Sequence, residues 1–99
     1  MALKVIWTPQ AIAGLEKVIK YLETHWAPRE ILNLEQNIEK FISRIAKYPE
    51  IYPPTTAYKN TRKGLVDKNN YIIYRIDREK KIIELINFRG MKQGPLSST

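Results

Sequence analysis

The candidate functional side chains lie in the second half of this chain, and they are cations, tyrosines and the carboxylate of Glu84. Guanidinium and ammonium groups bind phosphates or carboxylates, and they stabilise the negative charge that develops during phosphoryl transfer. Cleavage of RNA through its 2′-hydroxyl also needs groups that accept and donate a proton. The pattern predicts an anion-binding surface with Arg62, Tyr71, Arg75, Arg89 and Lys92 as binding residues. The catalytic candidates are Arg62, Arg75, Glu84, Arg89 and Lys92, with Tyr71 and Tyr74 as further proton-transfer candidates by chemistry alone.

Composition narrows the kind of site that the chain can build. The chain has no cysteine and a single histidine, His25, near a predicted helix end, where a cation complements the helix dipole. We therefore expect no metal, no cofactor and no small-molecule substrate. The net charge of +7 indicates either a polyanion or an acidic protein as the partner. No apolar run reaches the length of a membrane span, and no signal peptide is apparent, so a cytoplasmic protein without a membrane partner is expected.

An antiparallel meander is predicted for Arg62–Val66, Tyr71–Ile76 and Lys81–Phe88, which are rich in β-branched and aromatic residues. Two-residue turns would place Val66 opposite Tyr71, Leu65 opposite Ile72, Arg62 opposite Arg75, Tyr74 opposite Ile83 and Ile72 opposite Leu85. One face would then form the core, with Leu65, Ile72, Tyr74, Ile83 and Leu85. The other would carry Arg62, Val66, Tyr71, Ile73, Arg75, Ile82, Glu84, Ile86 and Phe88.

The predicted pair of opposed arginines leaves two interpretations open. An anion between them, from Glu84, from a partner's carboxylate or from a phosphate, would relieve the repulsion of like charges. Alternatively, this face is an ordinary solvated surface with one Arg–Glu pair. A slip of one residue in the register would exchange the two faces of the sheet.

Two amphipathic helices are predicted between an N-terminal strand, Ala2–Trp7, and the meander. Thr8 and Pro9 have the residue types of a helix cap and a first helical position, and a second helix runs from about Pro28 to Lys47. Their apolar stripes are Ile12, Leu15, Ile19, Leu22 and Trp26, then Ile31, Leu34, Ile38, Phe41 and Ile45. This predicts a two-layer α+β domain, β-α-α-β-β-β, with the helices on one sheet face. Residues 1–99 form one domain, with 48–60 as a connecting loop and about 89–99 as a basic, partly flexible tail.

The order and spacing of these pieces resemble the RelE/ParE family of bacterial type II toxins. The resemblance rests on Trp7–Ala11 opening the first helix, Ile45–Pro49 closing the second, Arg62–Lys63 starting the meander, Tyr71–Arg75 within it and Lys92–Pro95 after it. It implies a toxin inhibited by a cognate antitoxin, with growth inhibition and plasmid stabilisation as its effects. RelE-like members cleave messenger RNA on the ribosome, whereas ParE-like members poison DNA gyrase.

The sequence departs from the RelE-like pattern at two places. Tyr71 occupies the position of an arginine before the aliphatic pair of the third strand, and Lys92 replaces the arginine before Gln-x-Pro. No tyrosine or histidine follows the last strand. The resemblance therefore favours ParE-like binding of gyrase over ribosome-dependent RNA cleavage. An inactive relative that binds only its antitoxin is the remaining alternative.

Overall fold

Two helices pack against one face of a five-stranded sheet in the computed structural model, which describes residues 3–56 and 59–90. The elements are β1 (Lys4–Trp7), α1 (Pro9–His25), α2 (Pro28–Lys47), β2 (Pro54–Thr55), β3 (Thr61–Asp67), β4 (Asn70–Asp77) and β5 (Ile82–Gly90). Parallel pairing joins β1 to β5, and antiparallel pairing joins the other neighbours, in the order β1-β5-β4-β3-β2. This confirms the predicted α+β architecture. The structure adds a two-residue strand, β2, within the predicted loop.

Thr8 both starts α1 and attaches it to the sheet. Its Oγ1 accepts a hydrogen bond from the Ala11 N–H at 3.3 Å, as expected of a helix cap, and donates one to the Leu85 carbonyl at 2.6 Å. Pro9 occupies the first turn of α1, where its missing N–H costs no hydrogen bond. The predicted helix start is therefore confirmed, and the same hydroxyl fixes the start of α1 against β5.

The apolar stripe predicted for α1 is partly wrong, because the helix is rotated toward a line of smaller residues. Ile12 is 43% exposed and Trp26 is 56% exposed, whereas Ala11 and Val18 are buried. A Cβ at Gly14 would lie 2.2 Å from the Phe88 carbonyl oxygen, so α1 touches the backbone of β5 at this glycine. That close approach turns the Ala11–Gly14–Val18 line to the sheet.

The core lies between α2 and the middle of the sheet, as predicted. Phe41 is 1% exposed and Tyr74 is fully buried, and their rings meet edge to face with centroids 6.1 Å apart. Edge-to-face packing adds to the stabilisation that burial of two large rings provides. Buried with them are Leu34, Ile38 and Ile45 of α2 and Ile72, Ile83 and Leu85 of the sheet.

The β3–β4 hairpin has the predicted two-residue turn but a different register. Asp67 pairs with Asn70, and a β-bulge between Leu65 and Asp67 then shifts the pairing by one residue. Arg62 is consequently opposite Tyr74, not Arg75. The predicted orientation of this strand is wrong, because Leu65 is 51% exposed while Val66 packs against the core.

The β4–β5 hairpin closes through four residues, not two. Asp77 pairs with Ile82, and Lys81 in the loop has a positive φ of 58°. Tyr74 therefore faces Leu85, not Ile83, but this shift of two residues leaves the predicted faces unchanged. Beyond it, a bulge at Ile86 places Phe88 opposite Ile72 and in the core, where it is 1% exposed. The predictions that put Phe88 on the other face and Leu85 opposite Ile72 are wrong.

Candidate functional site

The candidate site is the side of β3, β4 and β5 that faces away from the helices, termed here the outer face. Residues directly opposite each other in an antiparallel pair project from the same side of a sheet, so the register defines three rows of side chains. The rows are Leu65, Tyr71 and Arg89, then Lys63, Ile73 and Asn87, then Thr61, Arg75 and Glu84. Each row therefore contains one cation, which lies among apolar and polar side chains.

Arg75 and Glu84 form an ion pair at one end of the outer face. The Arg75 Nε and one terminal nitrogen donate to the same Glu84 oxygen at 3.1 and 2.8 Å. The two side chains are 44% and 28% exposed, so solvent screening leaves the pair a small contribution to stability. Of the two interpretations drawn from the sequence, the Arg–Glu pair is the one that forms, since no second arginine lies opposite Arg75.

The other end of the outer face carries cations without a carboxylate beside them. The Lys63 ammonium lies 4.3 Å from the centroid of the Tyr71 ring, a cation–π contact. Arg89 is exposed and directly opposite Tyr71 on the neighbouring strand. Neither of the two ion pairs found in residues 3–56 and 59–90 involves Lys63 or Arg89. Lys63 was missed as a site residue because its face depends on the bulge in β3.

Arg62 lies on the helix side of the sheet, which contradicts its predicted place beside Arg75. One of its terminal nitrogens donates to the Tyr52 carbonyl at 2.7 Å and approaches the Glu50 carbonyl at 3.5 Å. The Tyr52 ring in turn stacks on Phe41, with centroids 5.0 Å apart. Arg62 therefore holds the connection between α2 and β3 on the core, and its guanidinium does not contribute to the outer face.

Tyr74 is also removed from the candidate site, because it is buried on the helix side. Its hydroxyl donates to the Pro49 carbonyl at 2.6 Å, and burial raises the pKa of the phenol to about 12. Because the side chain has no exposed surface and its hydroxyl is bonded to a backbone carbonyl, it cannot contact a bound substrate. Tyr71 is therefore the tyrosine that reaches the outer face.

The raised pKa of Tyr74 predicts a loss of stability in alkaline solution. The unfolded phenol ionises near pH 10 and the folded one near pH 12. This stabilisation is therefore complete below pH 10 and is lost as the pH rises through 12. Over that interval we expect the free energy of unfolding to fall by about 2–3 kcal/mol more in the wild type than in Tyr74→Phe. Denaturant titrations at several pH values measure the difference, and equal slopes for the two proteins would contradict it.

The carboxylates in the hairpin turns and the single histidine do not contribute to the outer face. Asp67 accepts from the Asn69 N–H at 2.7 Å, and Asp77 accepts from the Lys80 N–H at 3.0 Å, so both carboxylates stabilise hairpin turns. His25 is in the last turn of α1, where it stacks on Tyr21 at 4.3 Å. In the described ranges, no three histidine or carboxylate side chains are grouped to hold a metal ion.

The last strand includes the first two residues of the predicted basic tail. β5 continues through Arg89 to Gly90, whereas Lys92 and the rest of the predicted basic tail lie outside the described residues. No helix in the described part of the chain is both long and apolar enough to cross a membrane. The outer face as described thus contains Tyr71, Arg75, Glu84 and Arg89 of the predicted site residues, with Lys63 added.

Three solved structures that resemble this chain come from toxins or toxin–antitoxin systems, and their sequence identity to it is low. The chromosomal ParDE system of P. aeruginosa has a TM-score of 0.73 and 14% identity, covering 90% of this chain and 96% of that one. The RelBE2 toxin–antitoxin complex of Mycobacterium tuberculosis has a TM-score of 0.64 and 18% identity, and the match covers 91% of this chain and 99% of that one. A mutant of the E. coli toxin RelE in the free state has a TM-score of 0.66 and 14% identity, and the match covers 99% of this chain and 93% of that one. At these identities the likeness shows the fold.

The family is shown by the sequence profile. No curated protein sequence matches the chain significantly. The profile of the ParE toxin of the parDE type II toxin–antitoxin system, however, matches residues 5–94. That match spans both helices, β2 to β5 and all of β1 except Lys4. The chain therefore belongs to the ParE toxin family of type II toxin–antitoxin systems.

Proposed function

We infer that this chain is a toxin that a cognate acidic antitoxin neutralises, and that the free toxin inhibits growth by binding DNA gyrase. Its family supports a toxin, and the similarity to the ParDE system favours the ParE-like target. It acts in the cytoplasm and requires no metal or cofactor. The activity is one of binding, without catalysis.

The observation that carries this proposal is the make-up of the outer face. Its cations, Lys63, Arg75 and Arg89, lie beside apolar side chains, a combination that suits docking to an acidic protein surface. The one carboxylate in its three rows, Glu84, is paired with Arg75 at one end of the face. RNA cleavage requires both a proton acceptor and a proton donor at the scissile phosphate, and Tyr71 alone supplies at most one of them.

Two observations support an acidic antitoxin as the partner: the net charge of the chain and the solved structures that share its fold. A domain with a net charge of +7 binds an acidic partner at rates raised by electrostatic attraction. The similar P. aeruginosa and M. tuberculosis structures carry the names of a toxin–antitoxin system and complex. An acidic segment covering the outer face would bury its exposed Leu65 and neutralise its cations. In the cell, the complex would be the inactive form of the toxin.

The test compares two purified activities of the free chain. We expect it to inhibit the supercoiling of DNA by gyrase and to leave ribosome-bound message intact. Lys63→Glu should weaken the inhibition tenfold or more, about the effect of losing one charged contact. Lys80→Glu, with the same charge change in the β4–β5 loop, is the matched control and should act like the wild type.

Two results would overturn this proposal in different ways. Cleavage of message on the ribosome, abolished by Tyr71→Phe, would establish the RelE-like nuclease instead. If the free chain inhibits neither gyrase nor translation but still binds the antitoxin, it is an inactive relative of the toxins. Growth assays with both variants would then show whether any other essential target is involved.

A further inference from the structure

A second basic surface lies at the sheet edge, away from the centre of the outer face. β1 pairs with β5 only as far as Trp7 and Leu85, whereas β5 continues to Gly90. Beyond that point a groove of about 530 Å³ lies between α1 and β5, beside the close contact of Gly14 with Phe88. The lining of this α1–β5 groove is Gln10, Ala13, Gly14 and Lys17 from the helix and Asn87, Phe88, Arg89 and Gly90 from the strand.

The two walls of the α1–β5 groove present one cation each. Lys17 stands on the helix and Arg89 on the strand, and both are exposed. No carboxylate lines the groove, and neither cation takes part in an ion pair within residues 3–56 and 59–90. Among the described residues, the lining thus has two positive charges and no negative one.

Small residues and a fixed amide pair shape the groove between these cations. Ala13 and Gly14 leave the helix wall without bulk. At one end the Gln10 Nε2 donates to the Asn87 Oδ1 at 2.8 Å, which holds helix and strand together. The Gly14 contact fixes the helix against Phe88, so the groove is part of the folded frame.

The chemistry of this lining selects a polypeptide over a nucleic acid. Single-stranded nucleic acids bind basic grooves in which aromatic rings stack on the bases. The one aromatic residue of the groove, Phe88, is 1% exposed, so its ring is not available for stacking. Aspartate and glutamate carboxylates of a polypeptide can pair with Lys17 and Arg89. The small residues Ala13 and Gly14 leave room beside them for the polypeptide chain.

We propose that the α1–β5 groove binds an acidic extended segment of the antitoxin through carboxylates paired with Lys17 and Arg89. The proposal rests on the proposed function, because the occupant is the partner that neutralises the toxin. It adds a site that the outer face does not include, since Lys17 belongs to α1. A segment in this groove would reach Arg89 and from there continue onto the outer face.

The test co-expresses this chain with the product of each neighbouring gene and uses the product that co-purifies with it. Binding is measured for the wild type, Lys17→Glu, Arg89→Glu and the double variant. Each single reversal should raise the Kd tenfold or more, and the double variant should also show a weaker salt dependence. Lys20→Glu is the matched control, because Lys20 is exposed on α1, three residues from Lys17, and lies outside the groove. Circular dichroism and thermal unfolding verify that every variant is folded.

The outcomes separate this proposal from the one on which it rests. If the wild type forms the complex and both groove variants bind as tightly as Lys20→Glu, the groove proposal is overturned and the toxin function stands. If the wild type binds no product of a neighbouring gene, the antitoxin-regulated function fails as well. A Kd that rises for Arg89→Glu but not for Lys17→Glu would place the acidic segment on the outer face alone and overturn the groove.

Discussion

Replacing Phe41 with alanine is expected to lower the free energy of unfolding by about 3–5 kcal/mol. Phe41 is 1% exposed and contacts the rings of both Tyr52 and Tyr74, so truncation leaves a cavity that three elements would have to fill. Chemical denaturation monitored by circular dichroism measures the loss. Because Tyr52 also stacks on this ring, the connection between α2 and β3 should become more sensitive to proteolysis.

Lys40→Ala is the control for the core substitution. Lys40 is the neighbouring residue on α2 and is exposed, so its truncation should change the free energy of unfolding by no more than about 0.5 kcal/mol. A loss below about 1 kcal/mol for Phe41→Ala would mean that α2 buries a different face. Similar losses for the two variants would indicate that the helix as a whole, and not its packed side, determines stability.

Gly14→Ala is expected to destabilise the protein by about 3 kcal/mol, the upper end of the usual cost of overpacking. The added methyl would lie 2.2 Å from the Phe88 carbonyl oxygen. A main-chain oxygen cannot move aside as a flexible side chain can, so α1 must shift away from β5. Alanine favours a helix over glycine by about 1 kcal/mol, which offsets only part of this cost. Thermal or denaturant unfolding measures the net change.

The matched control is the opposite exchange at the next residue. Ala13 is exposed on the same turn of α1, so Ala13→Gly should cost only about 1 kcal/mol, the difference in helix propensity. At position 13 alanine is then the better residue, and at position 14 glycine is. If Gly14→Ala stabilised the protein, α1 would not approach β5 as closely as the structure shows. The shape of the α1–β5 groove would then also be in question.

Local sequence patterns determined the elements that depend on neighbours along the chain. Thr8 and Pro9 fixed the start of α1, and the apolar spacing of α2 identified its buried residues Leu34, Ile38 and Phe41. Those signals are short-range, since a cap or a helical stripe involves residues a few positions apart. The order of the same pieces also pointed to the correct toxin family. The net charge of +7 left both a polyanion and an acidic protein open as the partner.

The strand pairing was decided by tertiary structure. A bulge adds one unpaired residue to a strand and turns every later side chain to the other face, and neither bulge leaves a distinct pattern in this sequence. The bulge in β3 places Arg62 on the core side and Lys63 on the outer face, and the one at Ile86 buries Phe88.

Contacts between distant segments were likewise invisible in the sequence. The sequence around Gly14 does not distinguish it from other helix positions. Only the structure shows that it contacts the backbone of Phe88, which is 74 residues away along the chain (88 − 14). Lys17 reads as a solvated lysine until β5 brings Arg89 to the other side of the same groove. The sequence by itself thus determined both helices, the main strands and the family. The fold decided which cations share a surface, because packing and register set that choice, and neither is encoded within a single element.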